Sequence, residues 1–150
     1  MVLDSIDLSI IKELQKNGRS SNREVGRVLG ISEGTVRQHL KKLEAAKAMR
    51  LGLVTDAVAS GLTLAAFVRI KAQPRQAPTI AKKVADFPQC AFVGMTVGRF
   101  DLIALLNVGS REDLVRIIDS EIATMKGVLQ LDVREPVAYA KHRFDLVHIP

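Results

Sequence analysis

A chain of 150 residues, 47% hydrophobic and 25% charged, has room for one ordinary domain or two small ones and the composition of a globular protein with a sizeable core. Its formal net charge of +6 draws it to polyanions, with binding that weakens in salt, while 4% aromatics and no Trp argue against a stacking platform for single-stranded nucleic acid. The single cysteine, Cys90, excludes an intrachain disulfide and a Cys-based metal set, and three scattered histidines give no metal-ligand spacing.

The opening MVLDSIDLSI carries acids where a signal peptide carries basic residues, and no apolar run approaches the length of a membrane span. A cytoplasmic protein without membrane contact is expected. Asp4 caps a predicted helix in which Ile6, Ile10 and Leu14 line one face, with Leu3 and Ile11 beside them, and Asn17-Gly18 ends it. Ser21 starts the next helix as a capping box with Glu24, and Val25, Val28 and Leu29 form its apolar stripe. Gly30 follows where the chain leaves that helix, a place that favours a left-handed backbone. Ser32 then caps a third helix, whose Val36, Leu40 and Leu43 share one apolar face.

The other face of the third helix presents Gly34, Gln38 and Lys41, with Thr35, Arg37 and Lys42 on its flanks. Such a surface suits the major groove: Arg and Lys donate to guanine, Gln pairs with adenine, and Thr donates to phosphate or touches a thymine methyl. Basic charge alone is equally well read as a solvated helix face. The capping box, the Gly30 turn, the second cap and the tail Lys41, Lys42, Lys47, Arg50 favour a helix-turn-helix that binds double-stranded DNA. The DNA-binding candidates are Ser21, Asn22, Ser32, Gly34, Thr35, Arg37, Gln38, Lys41 and Lys42, with Arg37 and Gln38 assigned to bases and Lys41 and Lys42 to phosphates.

Residues 51–62, LGLVTDAVASGL, read as a connector in which 51–55 suit a short strand and Ser60-Gly61 is a break. Beyond it, LTLAAFVRIKA is a predicted strand, residues 77–87 a helix with Ile80, Val84 and Phe87 inward, and CAFVGMTV a second strand. GRFD makes a turn into LIALLNV, a third strand; Ser110 caps a helix carrying Leu114, Ile117, Ile118 and Ile122, and Gly127 precedes VLQLDV, a fourth strand. VAYAKHRFDLVHI suits a further strand at an edge. The order βαββαβ describes a ferredoxin-like sandwich. The expected fold is therefore α+β: a three-helix, winged-type helix-turn-helix domain over residues 1–50, a linker over 51–62, and the sandwich over 63–150. A sheet face or edge left bare on so small a unit is most simply covered by a second copy.

Nothing in the chain assembles into a catalytic site. Cys90 opens a strand and reads as packing, and Glu112 and Asp113 read as first-turn acids facing the positive end of a helix dipole. Gly94 and Gly98 form no phosphate cradle. The expectation is a protein that is not an enzyme and has no cofactor and no metal.

The segments LDSIDLSIIKELQKNGRSSNREVG, LGIS, VRQHLKKLE and VGRFDL resemble the Lrp/AsnC, or feast/famine, regulators, and the resemblance runs over essentially the whole chain. It implies a bacterial or archaeal transcription regulator that forms a homodimer through a C-terminal ligand-sensing domain and assembles further, up to octamers. It also implies a small-molecule effector, an amino acid or related metabolite, bound between dimers near the loop after the second strand. The effector-binding candidates carried over are Thr96, Gly98, Arg99, Phe100 and Asp101. The chain departs from the family pattern at His39, where arginine is common, at Arg99, where an acid is common, and at Leu131 and Val133, where threonines are common. His39 sits at the edge of the reading helix, which suits an apolar-flank or phosphate-facing role. Arg99 suits a carboxylate, leaving keto acids and acidic amino acids open as effectors, and a plain hairpin turn is the competing reading of that loop. Two functions follow: a sequence-specific transcription regulator answering a metabolite, or a ligand-independent architectural DNA-binding protein.

Overall fold

The computed structural model describes residues 2–141. The chain divides into two compact units, the first running to Val54 and the second over Thr55–Lys141. Among the described residues, no helix is long and apolar enough to cross a membrane.

The first unit is built on α1 (Ser5–Lys16), α2 (Asn22–Leu29) and α3 (Glu33–Ala45). Each helix starts where a side chain satisfies backbone N–H groups that have no partner within the helix. Asp4 and Asp7 make a reciprocal capping box on α1, Ser21 and Glu24 make one on α2, and Ser32 accepts the Thr35 N–H on α3. Ile10, Leu14, Val25 and Val36 form the core, with Ile6, Leu29, Ile31, Leu40 and Met49 packed against it.

Val28 does not join that core; it is 55% exposed. At about 100° per residue, Leu29 and Gly26 lie to one side of Val25 and Val28 to the other, and the partner helices cover only the first side. Gly26 is the buried member instead. A Cβ there would stand 2.7 Å from the Ile31 carbonyl oxygen, so α2 meets the start of α3 backbone to backbone. Gly30, at φ 70, then turns the chain into α3 in the left-handed conformation that favours glycine. Residues 51–56 carry no strand, contrary to the expectation for 51–55. Leu53 and Val54 there are 93% and 71% exposed, so within the described chain they lack the apolar partner a strand needs.

The second unit holds β1 (Leu64–Ala72), α4 (Ala77–Ala85), β2 (Cys90–Met95), β3 (Leu102–Val108), α5 (Arg111–Arg116) and β4 (Val128–Arg134). A π-helical stretch, Ile117–Ile122, continues α5. The strands lie in the order β2-β3-β1-β4, every neighbouring pair antiparallel. The two helices supply Ile80, Val84, Leu114, Ile117, Ile118 and Ile122 to one face of this sheet. Ala66, Val68, Ile70, Leu102, Ala104 and Leu106 meet them, as the alternation of a strand requires.

Among the described residues, no helix lies on the other sheet face. Phe92 pairs with Leu105 and Leu105 with Phe67, so an apolar row crosses three strands there, and Phe92 is 53% exposed. Beside the row, Arg69 is paired across to Asp132, whose carboxylate also accepts from Arg134 Nε at 2.8 Å. Residues 137–141 are irregular, and the remainder of the predicted C-terminal edge strand lies outside the described residues.

Candidate functional site

On α3, the buried Val36 and Leu43 turn one face inward, which leaves Gly34, Arg37, Gln38 and Lys41 exposed on the other. Arg37 Nη2 lies 2.6 Å from Glu33 Oε1 one turn back, an exposed pair that is weak and easily exchanged for another partner. Lys41 makes no ion pair among the described residues. Ser32 and Thr35 are joined hydroxyl to hydroxyl at 2.8 Å, and Ser21 both accepts the Glu24 N–H and donates to its carboxylate at 2.8 Å. These hydroxyls therefore hold helix starts, with Asn22 half-buried beside Ser21 at the start of α2.

Lys42 faces differently from its neighbour Lys41. Its Nζ lies 2.8 Å from Asp7 Oδ2 and 3.2 Å from Asp4 Oδ2. His39, expected at an apolar or phosphate-facing edge, points its Nδ1 at Asp7 Oδ1, 2.6 Å away. Asp7 is wholly buried, and hydrogen bonds from Lys42 and then His39 hold its carboxyl well below the usual carboxylate range. An ionised carboxylate only accepts, so the His39 Nδ1 carries the proton of that hydrogen bond. Asp4, Asp7 and His39 bring ligand-type atoms within 4.8 Å of one another, but the Lys42 ammonium already supplies the positive charge between the carboxylates.

Sequence reasoning missed Asp7, Gly26, and a row of cations at four-residue spacing, Arg19, Arg23 and Arg27, on and just before α2. All three are exposed without an ion pair among the described residues. Arg23 and Arg27, four residues apart on α2, share one side of that helix, and Arg19 lies in the turn before it. In a helix-turn-helix the first helix of the motif crosses the phosphate backbone, which is where such a row is useful.

The five effector candidates form the β2–β3 connection. Thr96 donates its N–H to the Asp101 carbonyl at 2.9 Å and its hydroxyl to the Phe100 carbonyl at 2.8 Å, which closes the loop on itself. Gly98 has φ 139, a backbone that favours glycine. The Asp101 carboxylate accepts the Ala72 N–H at 2.9 Å and lies 3.1 Å from Lys71 Nζ, and these two contacts lower its pKa. Asp101 thus ties the loop to β1. Phe100 is buried, with the Arg69 and Arg99 guanidiniums 4.9 and 5.5 Å from its ring centroid. Arg99 is exposed and makes no ion pair among the described residues, so the side-chain charge this loop offers is positive.

Residues 3–46 match a family model described as winged helix-turn-helix DNA-binding, and residues 65–134 match one described as the Lrp/AsnC ligand binding domain. The chain is similar to an uncharacterized HTH-type transcriptional regulator, PH1692, of Pyrococcus horikoshii, with 32% identity over 135 residues, 88% of this chain and 85% of that protein. Similarity extends to the HTH-type transcriptional regulator FL11 of Pyrococcus furiosus, 29% identical over 128 residues, 85% of this chain and 84% of that protein. In fold it matches the transcriptional regulator NMB0573 of Neisseria meningitidis, solved as an L-Met complex: TM-score 0.88, 22% identity, covering 97% of this chain and 96% of that one.

Proposed function

The chain belongs to the Lrp/AsnC family of DNA-binding transcription regulators with a ligand-binding domain, and from that premise we propose that it is a sequence-specific regulator acting in the cytoplasm as a homodimer or larger assembly. Its α3 lies in the major groove, with Arg37 and Gln38 toward bases and Lys41, Arg23 and Arg27 toward phosphates. The observation that carries this reading is the exposed row Gly34, Arg37, Gln38, Lys41 on a helix whose opposite face is buried.

The bare apolar row Phe67, Leu105, Phe92 supports a dimer closed sheet face to sheet face, which sets two reading heads on a roughly palindromic site. The second unit answers a small metabolite, an amino acid or related keto acid, at the loop of Thr96, Gly98, Arg99, Phe100 and Asp101. Arg99 there favours a carboxylate group, since Asp101 is already engaged with Ala72 and Lys71.

The test is selection of a duplex from a random-sequence pool, followed by affinity measurements on the enriched and the random duplex. Gln38→Ala is expected to cost about 1–3 kcal/mol on the enriched duplex and little on the random one. A wild-type ratio near unity between the two duplexes would refute sequence-specific regulation and favour architectural binding.

A further inference from the structure

A carboxylate with no solvent exposure has to be matched by donors and opposite charge, because desolvation penalises the ionised form. Asp7 is such a group, and its donors are the Asp4 N–H at 3.1 Å, Lys42 Nζ at 2.8 Å and His39 Nδ1 at 2.6 Å. His39 and Lys42 stand three residues apart on α3 and so share a face of that helix. Asp4 and Asp7 belong to the capped start of α1. Two consecutive turns of α3 are thereby anchored, through charge-assisted hydrogen bonds, to one end of another helix. Lys42 is held by both carboxylates, which raise its pKa, while Lys41 beside it has no ion pair among the described residues.

We propose that His39 and Lys42 serve DNA binding as positioning residues: through Asp7 they set how α3 sits on α1, and the Lys42 ammonium is committed to carboxylates rather than to a phosphate. This rests on α3 being the DNA-reading helix. A lysine on a phosphate and a lysine that positions the helix differ in their salt dependence. Each phosphate contact contributes about 0.9 to the slope of log affinity against log salt, whereas a positioning residue contributes nothing to it.

The experiment measures full-length protein on the enriched and the random duplex across a salt series. Lys41→Ala is expected to lower the slope by about 1.8 on both duplexes, about 0.9 for each of the two heads of a dimer. Lys42→Met is expected to weaken the enriched duplex about tenfold, which is about 1.4 kcal/mol, with the wild-type slope retained. Since Lys42→Met leaves a buried carboxylate short of its cation, the double variant Asp7→Asn/Lys42→Met provides a head without either charge; its slope is also expected to equal the wild type. His39→Ala is expected to weaken the enriched duplex about tenfold and His39→Asn, whose amide nitrogen stands where Nδ1 does and restores the N–H donor, to recover most of that loss. A slope lowered in the double variant by as much as in Lys41→Ala would overturn the inference while leaving the DNA-reading assignment intact. An unchanged slope in Lys41→Ala would overturn that assignment, and the inference with it.

Discussion

Replacing Gly26 with alanine sets two effects of opposite sign against each other. In an open helix interior the change stabilises by about 1 kcal/mol, because alanine gives up less backbone freedom on folding. At position 26, however, the new Cβ would stand 2.7 Å from Ile31 O and 3.5 Å from Glu33 N, where ordinary contact begins at 3.4 Å. These atoms are backbone, and the Gly26 carbonyl accepts the Ile31 N–H at 3.0 Å, so relief requires the α2–α3 turn itself to open. Overpacking of this kind costs about 1–3 kcal/mol, and the gain in helix propensity offsets about 1 of it, leaving a net loss of about 1–2 kcal/mol. That corresponds to a fall of about 5–15 °C in the melting of a head this small. Gly34 is the internal control: a Cβ there meets only Ser32 Oγ, at 3.7 Å. Gly34→Ala is accordingly expected to stabilise the head by about 0.5–1 kcal/mol. Amide hydrogen exchange of α2 and α3 in the full-length protein reports both changes without interference from the second unit. Slower exchange in Gly26→Ala, parallel to Gly34→Ala, would show that the turn does not depend on the missing Cβ.

Leu105→Arg, which puts a charge in the middle of the bare apolar row, is expected to convert a sedimenting dimer to monomer while the α4 and α5 face stays folded; an unchanged sedimentation coefficient would refute the sheet-face dimer. Arg99→Ala is expected to abolish the response to a panel of amino and keto acids, read as a change in assembly or DNA affinity, while effector-free DNA affinity stays near wild type. A response at unchanged concentration would reduce the loop to a turn. Acid stability follows Asp101, whose folded pKa is lowered first by the Ala72 N–H and then by Lys71. A depressed folded pKa means that the unfolded chain binds the proton more readily, so the stabilisation is present above the ordinary carboxylate pKa and is lost as pH falls below about 4. Asp4, Asp7, Glu24 and Asp132 shift in the same direction. Denaturation midpoints between about pH 6 and pH 3 are expected to decline in the wild type and less steeply in Asp101→Asn, and equal slopes would refute the role given to that carboxylate.

Helix starts and strand alternation are legible in the sequence because both are local. Asp4, Ser21, Ser32 and Ser110 each accept from a backbone N–H three residues on, within reach of the same turn. Along β1 and β3, every second residue is buried, so the period itself identifies the inward face. The exposed row of α3 follows from its buried row in the same way. Contacts between elements are another matter. The stripe on α2 takes in Gly26 rather than Val28 because the neighbouring helices cover one side of Val25 and not the other, which no count along α2 reveals.

The side chains of Lys41 and Lys42 are chemically alike and adjacent, yet among the described residues one has no ion pair and the other lies against Asp4 and Asp7, 38 and 35 residues earlier. His39 reaches the same carboxylate across 32 residues, and Asp101 ties its loop to β1 across 29. Propensity, capping and periodicity act within a few residues, so the helices, the succession of elements along the chain and the residues able to carry charge are all local properties. Which of those charges are spent on the fold and which face outward follows from packing, because a charge's partner is whatever packing brings within about 3 Å of it, however far off along the chain.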